Sequence, residues 1–211
     1  MSSVTAVCVL YAPLPDIGAR HGPSGIDKRP VEGPRAVGRL GLEGDRVFNI
    51  KDHGGPDKAV YAYAAEDAAA WAAELGRPVP PGLFGENLRT AGVDVSGALV
   101  GERWRVGGVL LEVRMPRVPC GTFAQRMGER GWVRTFTQRG WPGAYLAVLE
   151  PGELAAGDAV DVVHRPAHGV RIGPWSAHRA PDDARALAAA EAAGEISIAE
   201  DLRDYVEQAL F

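Results

Sequence analysis

Apolar and polar residues alternate with a period of two in several short stretches of the chain, and that period marks strands. Val4 to Tyr11 (VTAVCVLY) is rich in β-branched residues and stops at Pro13, which predicts an opening strand with Cys8 inside it. Leu99 to Val100, Arg103 to Val106, Val109 to Met115, Tyr145 to Leu149 and Ala159 to Val163 alternate or run apolar between glycines. Short pieces of this kind predict a barrel or a strongly bent sheet. Ala64, Ala68, Trp71 and Leu75 instead fall at helical spacing, with Gly76 and Pro78 as a stop. From Pro15 to Gly44 no period persists, so this stretch reads as a long loop region broken by short extended pieces.

The pattern shifts near His164. HRPAHGVRIGPW reads as a linker, after which Pro181 opens a helix that reaches Ala193 and stops at Gly194. Ser197 and Glu200 match a capping box for a second helix, with Ile198, Leu202, Tyr205, Val206 and Ala209 on one face. The chain thus divides into a β-rich domain over residues 1–163 and a linker with a small helical appendage over 164–211.

Composition adds limits to this outline. The 27 glycines and 16 prolines make up roughly a fifth of the chain against a usual eighth. With 46% hydrophobic residues the chain is loop-rich and still able to bury a core. A formal charge of −4 argues against nucleic acid or an anionic membrane as the main partner, and leaves room for a local basic pocket. Met1 to Pro15 is uncharged, lacks a basic leader and holds two prolines, so it reads neither as a secretory signal nor as a membrane span. The expected location is the cytoplasm. Two cysteines, Cys8 and Cys120, are too few for a disulfide framework.

Candidate chemistry lies in four places. In Pro116-Arg117-Val118-Pro119-Cys120-Gly121 a thiol follows a strand in a loop stiffened by prolines, beside Arg117. A partly ionised, exposed thiol and a buried structural cysteine both fit those residue types. In His53-Gly54-Gly55-Pro56-Asp57-Lys58 adjacent glycines let the backbone approach a ligand, and His53 and Lys58 offer an imidazole and an ammonium. The same residues also suit a plain Gly-Pro turn between strands. Phe84-Gly85-Glu86-Asn87-Leu88 places a carboxylate and an amide beyond a glycine. Gly25-Ile26-Asp27-Lys28-Arg29 and Gly41-Leu42-Glu43-Gly44-Asp45-Arg46 offer charge and backbone amides for a phosphate, or form a solvated loop. A Walker-type loop and a dinucleotide fingerprint are both missing. His164 and His168 stand four apart, but Pro166 and Gly169 argue against the helix that a shared zinc face needs.

Taken in order, GLEGDR, HGGPDKAV, FGENL, GERWRVG and PRVPCG resemble the MOSC domain, the C-terminal domain of molybdenum-cofactor sulfurases, over about residues 20 to 163. They are most similar to its stand-alone bacterial YiiM type. The resemblance implies a mainly β fold: a β-barrel of the pyruvate-kinase β-barrel type with flanking helices, here followed by the small helical appendage. It implies a molybdenum cofactor (molybdopterin), with Cys120 as both metal ligand and catalytic residue. Thiolate is a soft ligand suited to such a metal. Cations at Lys28, Arg29, Arg46, Lys58 and Arg117 would serve the cofactor phosphate, while His53, Gly54, Glu86 and Asn87 would meet the pterin.

The function so implied is reduction of a small N-hydroxylated substrate with electrons from a separate donor protein, since the chain shows no nicotinamide or flavin motif. Two other functions stay open. One is a non-catalytic carrier of the cofactor or of sulfur on Cys120. The other is a cysteine hydrolase with His53 as base. The YiiM type resembles a barrel with a three-helix tail, whereas two helices are recognisable here.

Overall fold

The computed structural model describes residues 1–15 and 22–211. Positions 16–21 of the long loop region lie outside the described residues. The strands are β1 (Ser3–Leu10), β2 (Lys28–Pro30), β3 (Arg35–Gly38), β4 (Gly41–Leu42), β5 (Val60–Ala64), β6 (Leu88–Ala91), β7 (Arg103–Val106), β8 (Val109–Pro116), β9 (Ala144–Glu150), β10 (Gly152–Leu154) and β11 (Val160–His164). The helices are α1 (Ile50–His53), α2 (Ala65–Leu75), α3 (Gly121–Met127), α4 (Trp132–Arg139), α5 (Ile172–His178), α6 (Pro181–Ala192) and α7 (Glu200–Leu210).

Eight strands form one sheet in the order β11-β7-β8-β9-β5-β6-β1-β2, and β10-β3-β4 form a second of three. Neighbours are antiparallel except β5 and β6, which run parallel because α2 crosses between them. The fold is sheet-centred and mainly β with flanking helices. The expected closed barrel is corrected: the large sheet is open, for its edge strands β2 and β11 do not pair. A single bridge from Ser3 to Ala159 brings the start of β1 beside the residue before β11. There the Val4 N–H donates to the Asp158 carbonyl (2.9 Å) and the Gly157 N–H to the Val4 carbonyl (2.8 Å). A third bond, from the Val160 N–H to the Ser2 carbonyl at 3.0 Å, continues that contact into the start of β11.

Alternation along β5 sets the two cores. Val60, Ala62 and Ala64 enter an aliphatic cluster with β1, β8 and β9, whereas Tyr61 and Tyr63 point into an aromatic one with Trp71, Phe84, Phe123, Trp132 and Phe136. The expected helix after Ala64 is α2, closed by Gly76 in the left-handed conformation with its N–H on the Ala72 carbonyl. Cys8 is a fully buried core residue, and burial pushes its thiol up to about 12. Of Leu99 and Val100, expected as strand, Leu99 makes only an isolated antiparallel bridge to Arg171 before the chain turns, with the Glu102 N–H on the Leu99 carbonyl at 2.9 Å.

The tail differs from expectation in two places. The stretch read as a linker holds α5, whose Ile172 and Trp175 are buried in the aliphatic cluster. The expected capping box is absent: Ala199 is the N-cap of α7, and the Ser197 hydroxyl lies 3.4 Å from Arg114. Leu187, Leu202 and Val206 share the cluster that contains β1, β8 and β9. Among the described residues no helix is long and apolar enough to cross a membrane. Phe136 packs its ring 5.0 Å from Phe123 and 5.9 Å from Trp71. Phe136→Ala is expected to lower the unfolding free energy by about 3–5 kcal/mol in chemical denaturation.

Candidate functional site

A cavity of about 510 Å³ opens where the β8–α3 loop, α1 and the loops after β1 and β4 meet. Its wall includes Lys28, Arg46, His53, Lys58, Asn87, Arg117 and Cys120. Seven of the ten residues expected at a cofactor are therefore brought together, from segments almost a hundred positions apart.

Cys120 sits at the N-cap of α3, where β8 has ended at Pro116 and the proline loop turns the chain. Burial pushes the Cys120 thiol up. A hydrogen bond from His53, the Arg117 charge and the Phe123 N–H outweigh it and hold the thiol down at about 6. Arg117 is itself buried. Its guanidinium donates to the Phe84 carbonyl at 2.7 Å and lies 3.7 Å over the Phe123 ring. His53 closes α1, a single turn started by Asn49, whose side chain accepts from the Asp52 N–H at 3.2 Å. HGGPDK is thus more than a hairpin turn: α1 places His53 at the thiol, and a following 3-10 turn carries Lys58 into β5.

Several polar groups on the wall are already committed. Asp45 accepts from the Leu10 N–H (3.0 Å) and the Asn87 amide (2.7 Å), and pairs with Lys28. The Asn87 carbonyl oxygen accepts from the Tyr61 N–H at 3.1 Å, which ties the loop after β1, β5 and the FGENL turn into one polar knot. Lys58 donates to the Asp52 carbonyl at 2.8 Å and pairs with Asp201 of α7. Arg46 has no ion pair among the described residues, and its guanidinium lies only over Phe48, at 4.8 Å.

Three expected contacts lie elsewhere. Arg29 is outside the cavity wall, with its guanidinium 3.5 Å over the Tyr11 ring and paired with Asp27 at 3.4 Å. Glu86 is fully buried behind the wall, where it accepts from the Gly82 N–H (2.8 Å) and the Phe84 N–H (3.1 Å) and pairs with Arg89, so its carboxylate is spent on the turn. Gly54 lines a smaller depression of about 220 Å³ beside α7, because its N–H caps α1. His168 bonds through both ring nitrogens, to the Val100 carbonyl (2.8 Å) and the Val170 N–H (3.0 Å), which leaves neither for zinc. Sequence reasoning missed Tyr61 and Tyr145, which line the cavity, and Asp201 behind Lys58. Nothing local to those residues marks them; Asp45 was already visible inside GLEGDR.

Residues 49–161 match the family model of the MOSC domain, and they make up more than half of the chain. The chain belongs to the MOSC domain family. It is 35% identical over 149 residues to YflK of Bacillus subtilis, covering 71% of this chain and 67% of that one. It is 35% identical over 147 residues to YiiM of Escherichia coli, covering 68% and 65%. A protein of Gibberella moniliformis named reductase is 31% identical over 148 residues, 68% of this chain but 26% of its own length. The crystal structure of YiiM from Geobacillus stearothermophilus matches 100% of both chains with a TM-score of 0.78 at 27% identity.

The residues of this MOSC site fit a pterin-bound metal. The cavity volume lies within the roughly 300–1,000 Å³ common for small-molecule sites. Among the described residues no three His, Cys, Asp or Glu side chains converge as ligands for a bare ion, and the Cys120 thiolate offers one soft donor on the cavity wall. Alkylation of Cys120 by iodoacetamide should rise as pH passes about 6 and level off above, because the thiolate is the nucleophile. His53→Ala is expected to move that rise to higher pH. Cys8 should stay unmodified in the folded protein.

Proposed function

We propose that the cavity holds a molybdenum cofactor through Cys120 and that the protein is a cytoplasmic oxidoreductase. In this reading it reduces N-hydroxylated compounds with electrons from a separate donor protein. The observation that carries it is a thiol held at about 6 and open to a cavity of cofactor size, with an unpaired guanidinium at Arg46 on the same wall. Family membership and the relative named reductase support the same direction.

Each side chain then has a task. Cys120, with its thiol held at about 6, would hold the metal through its sulfur without first losing a proton at neutral pH. Arg117 and His53 keep that sulfur anionic and fix its direction. Arg46 and the backbone of the Gly22–Ile26 loop supply charge and N–H donors for the phosphate. The bound cofactor supplies the two-electron chemistry that the side chains lack. The overall reaction takes an N-hydroxylated amine, two electrons and two protons to the amine and water.

The Cys120–His53 hydrogen bond also meets the first need of a thiol that carries sulfur or attacks an electrophile. A carrier of that kind would release its cofactor or sulfur to an acceptor and turn over nothing. Molybdenum and pterin analysis of the native protein against Cys120→Ser separates these readings. The variant should lose most of its molybdenum, and the native holoprotein with a competent donor should convert a hydroxylamine to its amine. Equal metal content in both proteins would overturn the role of Cys120.

A further inference from the structure

Three tyrosines stand at or behind the cavity wall, and two have spent their hydroxyls on the fold. Tyr61 donates to the Pro142 carbonyl at 2.9 Å. Tyr63 donates to the Trp141 carbonyl at 3.0 Å and accepts from the Trp71 indole N–H at 2.9 Å. Tyr145 lines the cavity with its ring 5.1 Å from that of Tyr61, and none of the described residues hydrogen-bonds its hydroxyl. Its donor is thereby left for whatever enters the cavity.

Its surroundings say which end of the cavity it serves. Tyr145 stands opposite Met115 in the β8–β9 ladder, at the strand end that leads into the Arg117–Cys120 loop, and lines the cavity with both, which places it at the sulfur end. The cationic donors there are committed: Lys58 to Asp52 and Asp201, Lys28 to Asp45, Arg117 to Phe84, and His53 to the Cys120 sulfur; the Thr122 hydroxyl on the same wall, like that of Tyr145, has no hydrogen bond among the described residues. A phenol keeps its proton at neutral pH, so Tyr145 can donate there.

We infer that the Tyr145 hydroxyl hydrogen-bonds the oxygen of the N-hydroxyl group and makes the site specific for N-hydroxylated ligands over their deoxygenated products. The inference rests on the reductase reading above and extends it to substrate selection. A reductase that removes this oxygen has to hold the hydroxylated compound and let the amine go. A single donor aimed at that oxygen does both, because the amine leaves the phenol unmatched. The same hydrogen bond strengthens as the N–O bond breaks: two electrons enter, negative charge grows on the departing oxygen, and two protons from solvent complete the amine and water.

The test uses molybdenum-loaded wild type and Tyr145→Phe, with phenylhydroxylamine and aniline as ligands. Because none of the described residues hydrogen-bonds the hydroxyl, the variant should keep the wild-type melting temperature, molybdenum content and Cys120 alkylation rate. Equilibrium binding of phenylhydroxylamine to the oxidised protein should weaken about tenfold, the size of one lost hydrogen bond. Aniline binding should not change. With a donor present, kcat should fall by roughly a hundredfold, as for loss of one donor to a developing oxyanion. Wild-type binding and turnover in the variant would overturn the inference and leave the reductase reading standing. Failure of the loaded wild type to reduce any N-hydroxylated compound would overturn both.

Discussion

Strand β5 is buried on both faces, and that double burial organises the molecule. A strand with one wet face needs only alternate apolar residues; β5 has to satisfy an aliphatic core with Val60, Ala62 and Ala64 and an aromatic one with Tyr61 and Tyr63. The large side chains all go to one face. There the two hydroxyls reach the carbonyls of Pro142 and Trp141 and pull that segment against the strand. Gly143 lets it come so close: a Cβ at that position would lie 2.6 Å from the Ala62 carbonyl oxygen. The chain then enters β9, which puts Tyr145 in the cavity. One strand thereby links the packing of the core to the lining of the site.

Electrostatics at the cavity follow from which charges have been cancelled. Lys28 and Lys58 are buried cations, and each is neutralised by a carboxylate. Arg117 is buried against aromatic faces and leaves its field on Cys120. Among the described residues, the groups left open to a ligand include an ionised sulfur and the guanidinium of Arg46, a soft donor and a hard cation on one wall. A net charge of −4 over the whole chain says nothing about that local balance.

The tail is part of the same construction. Its helices bury Trp175, Leu187, Leu202 and Val206 in the cluster shared with β1, β8 and β9. Asp201 crosses from α7 to hold Lys58 at the cavity wall, 143 residues away in sequence. Arg114, on β8, pairs with Asp57 (2.7 Å) and Glu112 (2.7 Å) in the same region, so strand, 3-10 turn and tail share one network of charge.

The sequence by itself determined the local elements and the pieces of the site. The periods of two and of 3.6 report which face of a segment is apolar, so β1, β7, β8, β9, β11 and α2 were legible within a residue or two. The proline loop around Cys120 and the glycine-rich turn around His53 were legible as places where backbone and side chain could meet a ligand. Helix α5 was not: Ile172 and Trp175 pack against the core, and that tertiary burial outweighs the local signal of proline and glycine. Ser197 matched a cap by spacing yet lies beside Arg114, since the side chain answers to its neighbours in space. Whether the sheet closed, whether Glu86 faced ligand or turn, and whether a tyrosine kept its hydroxyl free were likewise decided only by the tertiary structure. Each depends on contacts between residues far apart in the chain, and a local pattern carries no information about those.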